Sequence, residues 1–213
     1  MSKFLDDLKH DHSDFDDGKL ESHYGDEPWD LFVKWYAEAF EREQVANAMT
    51  ISTASAEGQP TTRIVYLKEL LDEKFIFYTN YNSEKGRSLI INNKTCLHFF
   101  WPQAQRQIRI DGIATKVSPE MSDEYFASRP RESQLGAWAS QQSEILESRE
   151  ELENRIIELD AKYPNDVPRP PHWGGYEVVA SKIEFWQGRP SRLHDRIVYQ
   201  KEDGNWKIFR LNP

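Results

Sequence analysis

TCLHFFW at 95–101, PQAQ at 102–105 and RQIRIDGIATKV at 106–117 form the stretch whose reading decides the fold. The first piece is a short apolar run that reads as a strand. The second alternates. Side chains of an extended strand point to opposite faces in turn, so Ile108 and Ile110 face one way while Gln107, Arg109 and Asp111 face the other. A four-residue link allows only an antiparallel return, since parallel neighbours need a crossover of a dozen or more residues.

Working outward, AMTISTA (48–54), the turn around EGQP and TTRIVYLK (61–68) read as a β-hairpin, followed by a strand at KFIFYT (74–79). Downstream lie YEVVASKIEFWQ (176–187), a strand at 191–200, the Asp203-Gly204 turn and the strand WKIFRL (206–211). Helices are expected between them. Pro28 suits a helix start, with Trp29, Phe32, Val33, Tyr36 and Phe40 as its apolar stripe. Ser83 caps a short helix to about Ile91, Ser118-Pro119 opens another that ends near Arg129-Pro130, and a further one carries Gln134 to Trp138. Ser148 with Glu151 makes a capping box for a helix to about Tyr163. About eight short strands with helices set among them suggest a mainly β, α+β protein built as an antiparallel barrel with packed helices. Residues 1–25, polar and without periodicity, are read as an arm that is mobile or orders on binding.

Composition narrows the function. The formal net charge of −9 argues against general nucleic-acid binding, which needs a basic face, so any anion site must be local. No apolar run approaches the roughly 20 residues of a membrane span. The first residues lack a secretory pattern, and Cys96 is the only cysteine, so a reducing cytoplasm is the default. The histidines show no metal-ligand spacing beyond His10-x-His12, and no metal is expected. Neither G-x-G-x-x-G nor a Walker sequence is present, so a nucleotide would be held by side chains.

Such side chains exist. WQGRPSRLHDR at 186–196 sets Arg192, His194 and Arg196 at alternate positions of an expected strand. Two arginines and a histidine on one face repel one another unless an anion sits among them, and a guanidinium fits phosphate or carboxylate oxygens best. A solvated edge strand, whose charges discourage edge pairing, explains the same pattern equally well. Further cations and hydroxyls sit near strand ends: Arg63 and Lys68, Tyr78 and Thr79, Ser83 and Lys85, and Arg129 with Ser133.

Taken in order, RIVYLK, FYTN, SEKGR, SRPRES, WASQQS, EFWQG and RLHDR, together with WGGYEV and the terminal WKIFRLNP, closely resemble the pyridoxine (pyridoxamine) 5′-phosphate oxidases. The resemblance runs from about Trp29 to Pro213. It implies an FMN-binding split β-barrel over residues 26–213 and a homodimer with FMN where the subunits meet. Carried over by motif, the flavin contacts are Arg63, Ile64, Val65, Tyr66, Leu67, Lys68, Tyr78, Thr79, Lys85, Gln107, Gln142, Ser143, Trp186 and Arg196. Lys68, Tyr125, Arg129 and Ser133 would hold the substrate phosphate. Arg192, Leu193 and His194 would lie at the reacting end, with Arg192 and His194 as catalytic residues. The implied reaction oxidises C4′ of pyridoxine or pyridoxamine 5′-phosphate to pyridoxal 5′-phosphate, with dioxygen as acceptor and hydrogen peroxide as by-product. A split-barrel flavoprotein with another substrate, or a noncatalytic pyridoxal 5′-phosphate carrier, are the rival readings.

Three positions depart from the family. Glu84 stands where many members carry an arginine before the lysine of an SRKG-like motif, and Arg87 is a candidate substitute. HSDFD at 12–16 replaces an RxEY-like segment, leaving Phe15 as a possible cap for the pocket. Val45-Ala46 replaces an acidic-proline pair.

Overall fold

The computed structural model describes residues 14–16, 20 and 25–213; the expectations for the rest of the arm, His10 and His12 included, lie outside the described residues. The chain forms two compact units, one comprising Met1–Ala46, His98–Ile110 and Lys182–Pro213, the other Asn47–Leu97 and Asp111–Ser181.

The second unit begins with β1 (Ala48–Ala54) and β2 (Pro60–Tyr66), an antiparallel hairpin in which Ala48 pairs with Tyr66 and Ala54 with Pro60. A short strand that the sequence reading had missed, β3 (Glu69–Leu71), pairs with β4 (Lys74–Asn80). Asp72 and Glu73, both at positive φ, make the two-residue turn between them, a geometry whose twist matches that of the flanking strands. Helix α2 (Glu84–Ile91) is capped as expected, the Ser83 hydroxyl accepting from the Gly86 amide. Strands β5 (Lys94–Trp101), β6 (Arg106–Lys116) and β7 (Trp173–Gln187) contribute residues to both units.

In this unit the first half of β7 pairs antiparallel with β4, Thr79 opposite Gly174 and Tyr78 opposite Gly175. Those glycines are required by close approach: a Cβ on Gly174 would lie 2.1 Å from the Tyr81 hydroxyl. Helices α3 (Pro119–Ala127) and α4 (Arg131–Ala139) bury Phe126 and Leu135 against Trp173 and Val167. Helix α5 (Arg149–Lys162) has the Ser148 cap that the capping-box spacing predicts.

In the first unit, the end of β7 pairs with β8 (Asp195–Glu202), which pairs with β9 (Asn205–Arg210) across the Asp203-Gly204 turn. Helix α1 (Trp29–Arg42) buries Leu31, Phe32, Trp35 and Ala39; of the predicted stripe Phe32 is buried, Trp29 and Tyr36 are half-buried, and Val33 and Phe40 are exposed. The buried set keeps the same helical period but is rotated about the axis, because Trp35 rather than Phe40 meets the ring of Phe185. Arg106 lies over Trp35 while bonding Glu38 and Gln187, which satisfies its charge within the core. Ala46, at one of the departures from the family, accepts a hydrogen bond from the Trp101 indole.

The strand expected at 191–200 is shorter. Residues 190–192 form a single 3-10 turn, and Ser191 and Arg192 have φ of 57° and 60°, which no extended strand tolerates. Pro190 supplies the break, having no N–H for a ladder. Arg192, His194 and Arg196 therefore do not share the face of one strand.

Candidate functional site

A cleft of about 610 Å³ opens in the second unit. Ile64, Val65, Tyr66 and Lys68 line it from β2 and the residues that follow, and Tyr78, Thr79 and Asn80 from β4. Lys85 enters from α2, Tyr125, Arg129 and Ser133 from the α3–α4 region, and Gln142 from the loop before α5. Consecutive residues of β2 and of β4 line it, so the cleft lies at the ends of these strands rather than over one face of them.

Lys85 is the centre of one part. It is 6% exposed, and its Nζ donates to Thr79 Oγ1 at 3.1 Å, Ser83 Oγ at 3.2 Å and Gln142 Oε1 at 3.0 Å. All three partners are neutral oxygens. Burial, reinforced by nearby Arg63 and opposed by Glu84, pulls the ammonium pKa down to about 8. A buried cation held by neutral dipoles is a prepared anion site, because an incoming phosphate restores the charge balance that burial removed.

Aromatic rings form another part. Tyr78 and Tyr125 stack at 3.9 Å between centroids, Tyr78 stacks on Trp173, and the Arg129 guanidinium lies 4.5 Å from the Trp173 ring. Burial pushes the Tyr78 phenol up to about 12, so it stays neutral. Arg129 Nη1 is buried and has no hydrogen-bond partner, and burial lowers the guanidinium pKa. A charged donor left unpaired in a cleft is costly, and a ligand oxygen relieves that cost.

Several predicted residues border this cleft without lining it. Leu67 is buried in the core. Arg63 spends its guanidinium on Thr53, Thr61, the Ile51 carbonyl and Glu84, the last at 3.3 Å. Ser143 accepts from the Glu84 amide and so anchors the start of α2. Arg87, the candidate substitute for the arginine that Glu84 replaces, pairs with Glu144 at 2.7 Å and the Asn82 carbonyl and is not among the lining residues. Asn80 and Trp173, which do line the cleft, were not assigned from sequence, although both stand in quoted motifs, FYTN and WGGYEV.

The other predicted residues lie in the first unit. Trp186 is the cross-strand partner of Arg196, and its ring is 4.6 Å from that of His194. The Arg189 amide donates to His194 Nδ1, so in neutral histidine the proton sits on Nε2. Burial lowers the His194 pKa, with Asp14 opposing and Arg192 adding to the shift. Arg196 is gripped by Glu184, itself 3% exposed, at 2.8 and 2.7 Å, and donates to the Asn212 carbonyl. Gln107 bonds His98 at 2.9 Å. Arg192 stands in the left-handed turn, and Leu193, which follows it, is exposed.

Residues 37–163 match the family model described as pyridoxamine 5′-phosphate oxidase, and residues 173–213 match the pyridoxine 5′-phosphate oxidase C-terminal dimerisation region. The pyridoxine/pyridoxamine 5′-phosphate oxidase of Microcystis aeruginosa is 50% identical, covering 91% of this chain and 92% of that protein. That of Nostoc punctiforme is 47% identical over the whole of both chains. Among solved structures, PhzG of Burkholderia lata, in complex with tetrahydrophenazine-1-carboxylic acid, superposes with a TM-score of 0.84 at 28% identity, covering 92% of this chain and all of that one. A pyridoxamine 5′-phosphate oxidase-related, FMN-binding protein of Nostoc punctiforme, at 15% identity, shares the fold with a TM-score of 0.72 over 89% of this chain and all of that one. The fold is thus the split barrel of FMN-binding proteins. Within that class, the chain belongs to the pyridoxine/pyridoxamine 5′-phosphate oxidase family. Among the described residues, no helix is long and apolar enough to cross a membrane, and no cluster of three or more metal-ligating side chains occurs.

Proposed function

We propose that the protein oxidises pyridoxine 5′-phosphate and pyridoxamine 5′-phosphate to pyridoxal 5′-phosphate with FMN, as a cytoplasmic homodimer whose flavin-binding domain spans residues 26–213. The observation that carries this reading is the cleft lined by two desolvated cations, Lys85 with neutral partners only and Arg129 with an orphaned Nη1. Both suit phosphate oxygens, and FMN and its substrate each carry one phosphate. The donor set therefore fits the cofactor. When bound, FMN would supply the acceptor for a hydride equivalent from C4′ of the substrate, dioxygen would reoxidise it with release of hydrogen peroxide, and the amine substrate would also consume water and release ammonia.

The residues do the rest. Lys85, Thr79 and Gln142 would bind the flavin phosphate region, with Arg63 and Ser143 fixing the walls behind them. Lys68, Tyr125, Arg129 and Ser133 would hold the substrate phosphate, so that binding energy far from C4′ is used for alignment. Gln107, Trp186, Arg192, His194 and Arg196 are absent from the cleft lining, and the matched dimerisation region holds all of them but Gln107. We assign them to the partner copy's contribution to each site. There, Arg192 would steer C4′ and His194, whose Nδ1 already accepts from the Arg189 amide, would handle through Nε2 the proton released from the alcohol or amine.

The test is anaerobic mixing of the purified yellow protein with pyridoxine 5′-phosphate, following the flavin band. Bleaching at a saturable rate is expected. A protein that binds no flavin, or whose flavin keeps its colour with both substrates, refutes the proposal.

A further inference from the structure

The segment Asp14-Phe15-Asp16 is seated on the loop that carries Arg192 and His194. Asp14 Oδ2 accepts from the Ser191 amide at 2.7 Å, while Oδ1 accepts from the Phe15 amide. The Phe15 ring meets Trp186 at 5.3 Å and His194 at 5.7 Å, both edge to face. It lies over Gly188, where a Cβ would come within 2.6 Å of its ring. Asp16 and Gln105 exchange two hydrogen bonds, of 3.0 and 3.1 Å. Three successive residues thus have built partners in the same unit, and the bond to Ser191 falls on the strained part.

Ser191 and Arg192 are both in the left-handed region, which costs a non-glycine residue free energy that surrounding contacts must offset. Without a bond to its amide, Ser191 could relax to an extended backbone, and Arg192 and His194 would turn with it. Within the function proposed above, we propose that Asp14 is a positioning residue for the reaction: its carboxylate braces the Ser191–Arg192 turn and so fixes Arg192 and His194, with Phe15 packed behind the imidazole. The charge has a second effect. Among the charged groups acting on His194, Asp14 raises its affinity for a proton and Arg192 lowers it.

Asp14→Asn keeps an oxygen acceptor for the Ser191 amide and loses the charge, whereas Asp14→Ala loses both. Gly188→Ala leaves Asp14 intact and unseats Phe15. With flavin-loaded protein, Asp14→Ala and Gly188→Ala should lower the limiting rate of anaerobic flavin reduction by about 3- to 10-fold, the scale of one charge-assisted hydrogen bond at a solvated site. The substrate concentration at half-maximal rate should hardly move, since the phosphate contacts are untouched. Asp14→Asn should keep nearly the parent rate. NMR titration of the imidazole, identified by the signal missing in His194→Gln, should show a lower midpoint in Asp14→Asn and Asp14→Ala. Parent rate and parent midpoint in Asp14→Ala would overturn the inference. Should the parent protein itself show no flavin reduction, the functional proposal fails, and the His194 titration alone decides whether Asp14 controls the loop.

Discussion

The pH dependence of the flavin-free protein's stability tests the prepared anion site most directly. Lys85 has a pKa of about 8 in the fold against 10.5 without its surroundings. An ammonium with a depressed folded pKa leaves the unfolded chain holding more protons between the two values, so unfolding free energy rises with pH across that window. At about 1.4 kcal/mol per pKa unit, the penalty for keeping the cation buried below pH 8 is on the order of 3 kcal/mol. The flavin-free parent should therefore gain up to about 3 kcal/mol from this group between pH 8 and 10.5. Lys85→Met, similar in volume and without charge, should lack that gain. The assay is urea unfolding of both proteins at pH 7.5 and pH 10, taken as a double difference so that other titrating groups cancel. FMN should erase most of the parent's dependence, because a phosphate beside the ammonium raises its pKa again. The variant should bind FMN roughly 10- to 100-fold more weakly, the scale of one lost charge-assisted contact. Equal pH dependence in parent and Lys85→Met would refute the reasoning, since Lys85 would then not be a suppressed cation and the cleft would not be prepared for an anion.

Glu84→Gln should strengthen FMN binding by about 3- to 10-fold in a fluorescence titration, because it removes a negative charge near Lys85 and the proposed phosphate site, at little cost to the fold since that carboxylate is largely exposed. Glu184→Gln should lower the stability of the loaded protein by about 2–4 kcal/mol in thermal melts. It removes the buried carboxylate that holds Arg196 and also faces Arg109 at 3.7 Å, leaving two cations without their counter-charge. Gly86→Ala should cost about 3 kcal/mol or prevent folding, as measured by urea unfolding, since a Cβ there would sit 2.1 Å from the Tyr81 carbonyl oxygen, which is backbone and cannot yield.

The cleft and the braced loop place different demands on the chain. Around Lys85, neutral dipoles from β4, the α2 cap and the loop before α5 hold a buried cation, which the proposed function uses for phosphate. Around His194, a strained turn is held by a carboxylate far away in sequence. The first arrangement favours binding, the second orientation, and the family's chemistry needs both.

Much of this was legible in the order of residues alone. Strand alternation at 106–117 and the turns at EGQP (57–60) and 203–204 are local signals, and the observed strands follow them to within a few residues. The Ser83, Ser118 and Ser148 caps are local as well, since each hydroxyl bonds an amide three residues on. Motif order was enough to recognise the family, and with it most of the cleft lining. Tertiary packing decided the remainder. Which face of α1 is buried depended on where Phe185 and Arg106 stand, a fact no helical period contains. The RLHDR segment reads as a strand by alternation, but Pro190 and the left-handed Ser191 and Arg192 break it, and the bond that accompanies this turn comes from Asp14, 177 positions away. Glu84 looked like a missing phosphate contact, and the fold shows it as the partner of Arg63. Periodicity and capping are set by neighbours along the chain, whereas the charge state of Lys85 and the orientations of Arg196 and His194 arise from groups that only folding brings within a few ångströms, where burial makes each charge dependent on its neighbours.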